Sequence, residues 1–112
     1  MKIDVYKENH LVIISLIGRL DIYQVPELES VFYKQVELNP STIAMMMKDC
    51  TYIDSAAIVS FVRFKNITLK NRIDLICYNL NENINRIFKI AKMDKFLTIL
   101  SAEEFLARFA SR

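Results

Sequence analysis

Apolar positions along the chain fall into short blocks separated by polar breaks, and their period changes from block to block. Ile3 to Tyr6 and Leu11 to Ile17 read as two strands around the polar turn Lys7-Glu8-Asn9-His10, a spacing that suits an antiparallel hairpin. The second run is apolar almost throughout. Strands keep strict alternation only where one face meets water, so this one is expected in the centre of a sheet. After the break Gly18-Arg19-Leu20-Asp21, apolar residues return at helical spacing through Val25, Leu28, Val31 and Phe32. Pro26 sits in the first turn and Glu27 lies near the positive end of the helix dipole, which predicts a helix over Val25 to Glu37.

Asn39-Pro40-Ser41 ends that helix and launches a third strand, Thr42 to Met47, with the methionines as core filling. Asp49 to Ile53 reads as a loop. From Ser55 the period is helical again, with Ile58, Phe61, Val62 and Leu69 on the inner face of a second helix that runs to Leu69. Val59, Arg63 and Ile67, spaced four apart, fall away from that face and form an exposed stripe suited to a partner.

Ile73 to Tyr78 is a fourth strand, Asn81 to Lys92 a third helix and Phe96 to Leu100 a short last strand. Ser101-Ala102-Glu103-Glu104 is a capping box that opens a final helix through Phe105, Leu106 and Phe109. Arg86, Lys89, Lys92 and Lys95 form a solvated face, and His10 is a turn residue. The order β-β-α-β-α-β-α-β-α predicts an α/β fold, a mostly parallel or mixed sheet of about five strands with about four helices packed on it. In such sheets the loops leaving the strand carboxyl ends are the working edge, and Gly18 to Asp21 and Asp49 to Ser55 both lie there.

Composition narrows the chemistry. The 112 residues are 53% hydrophobic and 25% charged, enough for one core and too few for two domains, so a single domain over 1–112 is expected. A net charge of +2 without a clustered basic face argues against direct nucleic-acid binding. Gly18 is the only glycine, which leaves no dinucleotide fingerprint and no phosphate loop. His10 is the only histidine, and Cys50 and Cys77 are the only cysteines, both in apolar surroundings that suit reduced, buried thiols. Asp21, Asp49 and Asp54 on one edge would hold a divalent cation weakly at most. No enzyme, metal site or cofactor is therefore expected. No apolar run approaches the roughly 20 residues of a membrane span, and Met1 to Tyr6 lacks the core of a signal peptide, so the expected location is the cytoplasm.

Two loops carry a family resemblance. Gly18-Arg19-Leu20-Asp21 followed by Pro26-Glu27-Leu28 resembles the Gly-x-Leu-Asp and Pro-Glu-Leu pattern of STAS domains. Asp49-Cys50-Thr51-Tyr52-Ile53-Asp54-Ser55 resembles their exit loop from the third strand, ending in Asp-Ser. The element order matches over nearly the whole chain, and Asn83 to Ile90 is similar to the family's third helix. The resemblance is strongest to the bacterial anti-anti-sigma factors, also called anti-sigma factor antagonists. It implies a protein without catalysis of its own that binds an anti-sigma factor, often a serine kinase, and so frees a sigma factor.

The same resemblance implies a phosphorylated serine at Ser55, with a phosphatase to reverse it, and a partner surface around Asp21, Asp54, Ser55, Val59, Arg63 and Ile67. Elementary chemistry gives Ser55 and Asp54 another role, as caps for the first turn of the second helix. Asp21 has an ordinary reading too, as a turn residue. The sequence departs from the family just after the serine, where Ser or Thr and then Gly usually follow, often with a second Gly two residues on: Ala56, Ala57 and Val59 stand there. That departure keeps open a second reading, a STAS scaffold module that is never phosphorylated.

Overall fold

The computed structural model describes residues 1–109, so the last three positions of the expected domain lie outside the described residues. The elements are β1 (Lys2–Glu8), β2 (Leu11–Leu20), α1 (Val25–Glu37), β3 (Thr42–Met46), β4 (Cys50–Ile53), α2 (Ser55–Lys70), β5 (Asp74–Tyr78), α3 (Glu82–Ile90), β6 (Thr98–Leu100) and α4 (Ala102–Phe109), with one 3-10 turn at Met93–Lys95. The sheet runs β1-β2-β3-β5-β6. β1 pairs with β2 antiparallel, while β2, β3, β5 and β6 are parallel, each joined to the next through a helix. The α/β class and the parallel crossovers are as the sequence predicts.

The strand count is not. Asp49 to Ile53, expected to be a loop, contains β4, which pairs parallel with the end of β2: Cys50 with Gly18, Tyr52 with Arg19, Ile53 with Leu20. β2 itself runs three residues beyond its expected end. The two corrections have one cause. β2 has 10 residues and β3 only 5, so the tail of β2 outruns its neighbour, and its backbone groups need another partner. The chain turns after β3, with the Cys50 N–H donating to the Met47 carbonyl, and β4 fills the gap. Gly18 marks the change of partner. It adopts φ +100°, a conformation that side chains rarely adopt, at an irregularity in the ladder, and its N–H donates to the Asp49 carbonyl at 3.0 Å.

One face of the sheet carries the main core. Val12, Ile14 and Leu16 of β2, Ile43 and Met45 of β3, and Leu75 and Cys77 of β5 meet Leu28 and Phe32 of α1, Phe61 and Phe64 of α2, and Ile84 and Phe88 of α3. Four phenylalanines link the three helices: Phe32 stacks on Phe64 at 3.9 Å, Phe61 meets Phe64 edge-on, and Phe61 meets Phe88 edge-on at 5.6 Å. The other face is served by α4, whose Phe105 packs with Ala44 and Ile76 and stacks on Tyr78. The predicted capping box at its start is present, with the Ser101 N–H donating to Glu104 and the Glu104 N–H to the Ser101 hydroxyl.

The inner face of α2 differs from expectation at its end. Leu69 is 61% exposed, and the buried positions are Ala57, Ser60, Phe61, Phe64 and Thr68. A helix turns about 100° per residue, so Thr68, seven positions after Phe61, lies closer to its direction than Leu69 does. The Thr68 hydroxyl is satisfied within the helix by donating toward the Phe64 and Lys65 carbonyls, which lets a polar residue occupy a core position.

Candidate functional site

Both motifs run along the last residues of parallel strands into the turns that follow, where β2 feeds α1 and β4 feeds α2. Asp54 is the N-cap residue of α2 and holds the two loops together. Its Oδ1 accepts from the Ala57 N–H at 3.0 Å, and its Oδ2 accepts from the Ile22 N–H, 32 positions earlier in the chain, at 2.9 Å. One carboxylate therefore caps the helix and fixes the β2–α1 turn. A neutral side chain of the same size would have one acceptor oxygen for these two amides.

With Asp54 as the cap, Ser55 is left free. It is the first residue of α2, exposed, and among the described residues its hydroxyl makes no hydrogen bond. Of the two capping candidates the carboxylate takes the role. Asp21 shapes the other loop: its Oδ1 accepts from the Tyr23 N–H at 3.0 Å, its carbonyl accepts from Gln24 and Val25, and its carboxylate lies 3.8 Å from Arg19. Asp21 and Asp54 are thus both committed to backbone amides. Asp49 contributes its carbonyl to Gly18.

The expected stripe on α2 is only partly present. Val59 is 53% exposed, one turn beyond Ser55. Arg63 is exposed but forms a hydrogen-bonded ion pair with Glu29 of α1, and that carboxylate raises the pKa of the guanidinium. Ile67 is not an exposed position, because it packs against the main core. The cause is the packing of α1 beside α2: the Phe32–Phe64 stack draws the helices together, which brings Glu29 to Arg63.

Several residues of this edge carry no signal in the pattern of the sequence. Ile22 and Tyr23 are 61% and 84% exposed at the tip of the β2–α1 turn. The Arg19 guanidinium lies over the Tyr52 ring, 4.3 Å from its centroid. Asn81, the N-cap of α3, receives the Ile84 N–H on its Oδ1 and donates from Nδ2 toward the carbonyls of Met47, Lys48 and Cys50. Asn83 donates to the Thr51 carbonyl at 3.2 Å. These two asparagines brace the segment that leads to Ser55. The one cue available was the recurrence of asparagine at 79, 81, 83 and 85.

The site offers little for covalent chemistry. Cys50 is buried at its base, and burial pushes its thiol up to about 11, which keeps it protonated and unreactive at neutral pH. Among the described residues no group of three or more His, Cys, Asp or Glu could hold a metal ion, and no helix is long and apolar enough to cross a membrane. What the edge presents is the exposed Ser55 hydroxyl, the exposed side chains of Ile22, Tyr23 and Val59, and a backbone held by side-chain hydrogen bonds, a surface suited to binding.

Known proteins match this architecture. The STAS domain family model matches residues 2–105. The anti-sigma-B factor antagonist of Staphylococcus aureus is 26% identical over 87 residues, which is 78% of this chain and 81% of that protein. Among solved structures, a Thermotoga maritima protein provisionally identified as an anti-sigma factor antagonist superimposes with a TM-score of 0.84 at 15% identity, over 98% of this chain and 95% of that one. The anti-sigma factor antagonist SpoIIAA in its unphosphorylated form gives 0.75 at 16% identity, over 99% of this chain and 100% of that one. The relatives are named for antagonising an anti-sigma factor, a binding role. The match over residues 2–105 shows that this chain belongs to the STAS domain family.

Proposed function

We propose that this STAS domain is an anti-sigma factor antagonist that binds an anti-sigma factor with serine kinase activity and so frees a sigma factor, and that phosphorylation of Ser55 switches it off. The observation that carries this reading is the division of labour at the start of α2: Asp54 caps the helix, and the Ser55 hydroxyl stands exposed and uncommitted. A serine needed as a cap would be a poor acceptor for a phosphoryl group, because modification would cost the cap. Here that conflict is absent.

A phosphate at Ser55 adds roughly −1.5 to −2 charges beside the N-terminus of a helix, where the dipole tolerates negative charge. The fold should persist while docking fails, because a surface fitted to a small hydroxyl meets a hydrated dianion. The SpoIIAA of Bacillus, whose phosphorylated form has the same fold as this chain with a TM-score of 0.72, supports a modification that leaves the domain intact. A phosphatase would restore binding, and the cycle would run in the cytoplasm.

A second reading, a scaffold module bound constitutively, draws on Val59. An exposed valine one turn from Ser55 adds apolar contact area where the family usually offers a glycine-rich approach. Calorimetric titration of the anti-sigma factor with wild-type protein and Ser55→Asp separates the two. The switch predicts loss of binding by Ser55→Asp with an unchanged circular dichroism spectrum. Equal binding by both proteins would leave the scaffold reading standing.

A further inference from the structure

We propose that Asp54 is a positioning residue, not a partner contact: by holding the Ile22 amide it sets the Ile22–Tyr23 tip beside Ser55, and that tip reads an apolar cleft on the partner. The inference deepens the proposed function and rests on it for the existence of a partner. Both oxygens of the Asp54 carboxylate are already engaged, one with Ala57 in its own helix and one with Ile22 across the edge. Two amides, one on each oxygen, fix the orientation of the carboxylate and take about half of its roughly four acceptor sites, so its place in the structure is explained without a partner.

The object it holds is unusual for a turn. Ile22 and Tyr23 are among the most exposed large apolar side chains of the described residues, and the Asp21 carboxylate, through the Tyr23 N–H, fixes the shape of the loop that carries them. Asp21 therefore shapes the turn, and Asp54 fixes where the turn sits relative to α2. A tip ordered by two carboxylate–amide bonds loses less entropy on docking than a mobile one. An isoleucine beside a tyrosine suits a partner cleft with aliphatic walls and one acceptor for the Tyr23 hydroxyl.

Asp54→Asn is the discriminating variant. Asparagine is a good helix cap, so its single carbonyl oxygen goes to Ala57, and its NH2 group then confronts the Ile22 N–H. Native-state hydrogen exchange by NMR should show the Ile22 amide exchanging at least about tenfold faster with the Ala57 amide still protected, the consequence of losing one charge-assisted hydrogen bond. Protection of Ile22 equal to wild type would overturn the clamp, and this arm needs no partner.

The second arm is a double-mutant cycle on the anti-sigma factor affinity, with Asp54→Asn and the pair Ile22→Ala/Tyr23→Ala. If Asp54 acts through the tip, Asp54→Asn weakens binding in the wild-type background and has no further effect once the tip is truncated. An undiminished loss in the truncated background would make Asp54 a direct contact. A tip-truncated protein that binds as tightly as wild type would refute the reading role of the tip, whatever the exchange data show.

Discussion

The two faces of the sheet are built to different standards. On one, three helices and a linked row of phenylalanines bury a continuous core, and the loops that carry Asp21, Asp54 and Ser55 grow directly out of that layer. On the other, one short helix covers Ala44 and Ile76 through Phe105. Toward the β1–β2 turn it leaves a cavity of about 340 Å³, lined in part by His10, Ile13, Thr42, Phe105 and Phe109. The difference shows where rigidity matters. The loops that carry Asp21, Asp54 and Ser55 are braced on the better-packed layer.

The largest effect that would sharpen this contrast lies at alkaline pH. Cys50 and Cys77 both belong to the thick layer, and burial pushes their thiols from the ordinary 9.0 up to about 11 and about 12. A thiol whose pKa is raised by folding contributes stability that is fully present below pH 9 and is lost as pH climbs through the folded-state values. Tyr78, stacked on Phe105 in the thin layer, is also pushed up by burial and shares the alkaline range. Chemical denaturation from pH 8 to 11.5 should show a steep fall in stability for wild type and a shallower one for Cys50→Ala/Cys77→Ala. Equal slopes would place the sensitivity outside the thick layer.

Truncation tests the packing directly. Phe64→Ala removes a fully buried ring from the stack between α1 and α2 and should cost about 3–5 kcal/mol in urea unfolding. Phe105→Ala, in the thin layer, should cost roughly half as much, because the open neighbourhood leaves a smaller new void. Equal costs would break the comparison. At the edge itself, Asn81→Ala removes a helix cap and the bonds to the β3–β4 turn, for a loss of about 2 kcal/mol. Amide exchange should rise selectively from Lys48 to Thr51. The smallest effect belongs to Gly18→Ala, about 1–2 kcal/mol from backbone strain at φ +100°. A methyl group there would meet Met1 only at ordinary contact distance.

The sequence showed the layered plan and several boundaries because local chemistry decides them. Pro26 in the first turn and Pro40 just past the end mark α1, whose bounds agree residue for residue with the expected helix. Ser101 and Glu104 open α4 as written, and Asp-Ser before an apolar helical run places Ser55 at a helix start. What stayed hidden depends on partners distant in the chain. β4 is a strand only because β2 overshoots β3, a mismatch of lengths that no residue of Cys50–Ile53 reports. Ile67 is half-buried and Arg63 paired because α1 lies beside α2, and the period of one helix does not reveal its neighbour. The bond from the Ile22 amide to Asp54 joins two motifs that each look self-contained in the sequence.

The proposed function turns on Ser55 as a phosphorylation switch for partner binding. Its most direct test is intact-mass and tandem mass spectrometry of the protein recovered from its own cells, beside Ser55→Ala, with co-purifying proteins identified. A switch at Ser55 requires a single phosphate on Ser55 in part of the population, its absence from Ser55→Ala, and an anti-sigma kinase bound to the unmodified fraction alone. An unmodified Ser55 under every growth condition, or a kinase bound equally to modified and unmodified protein, would contradict it.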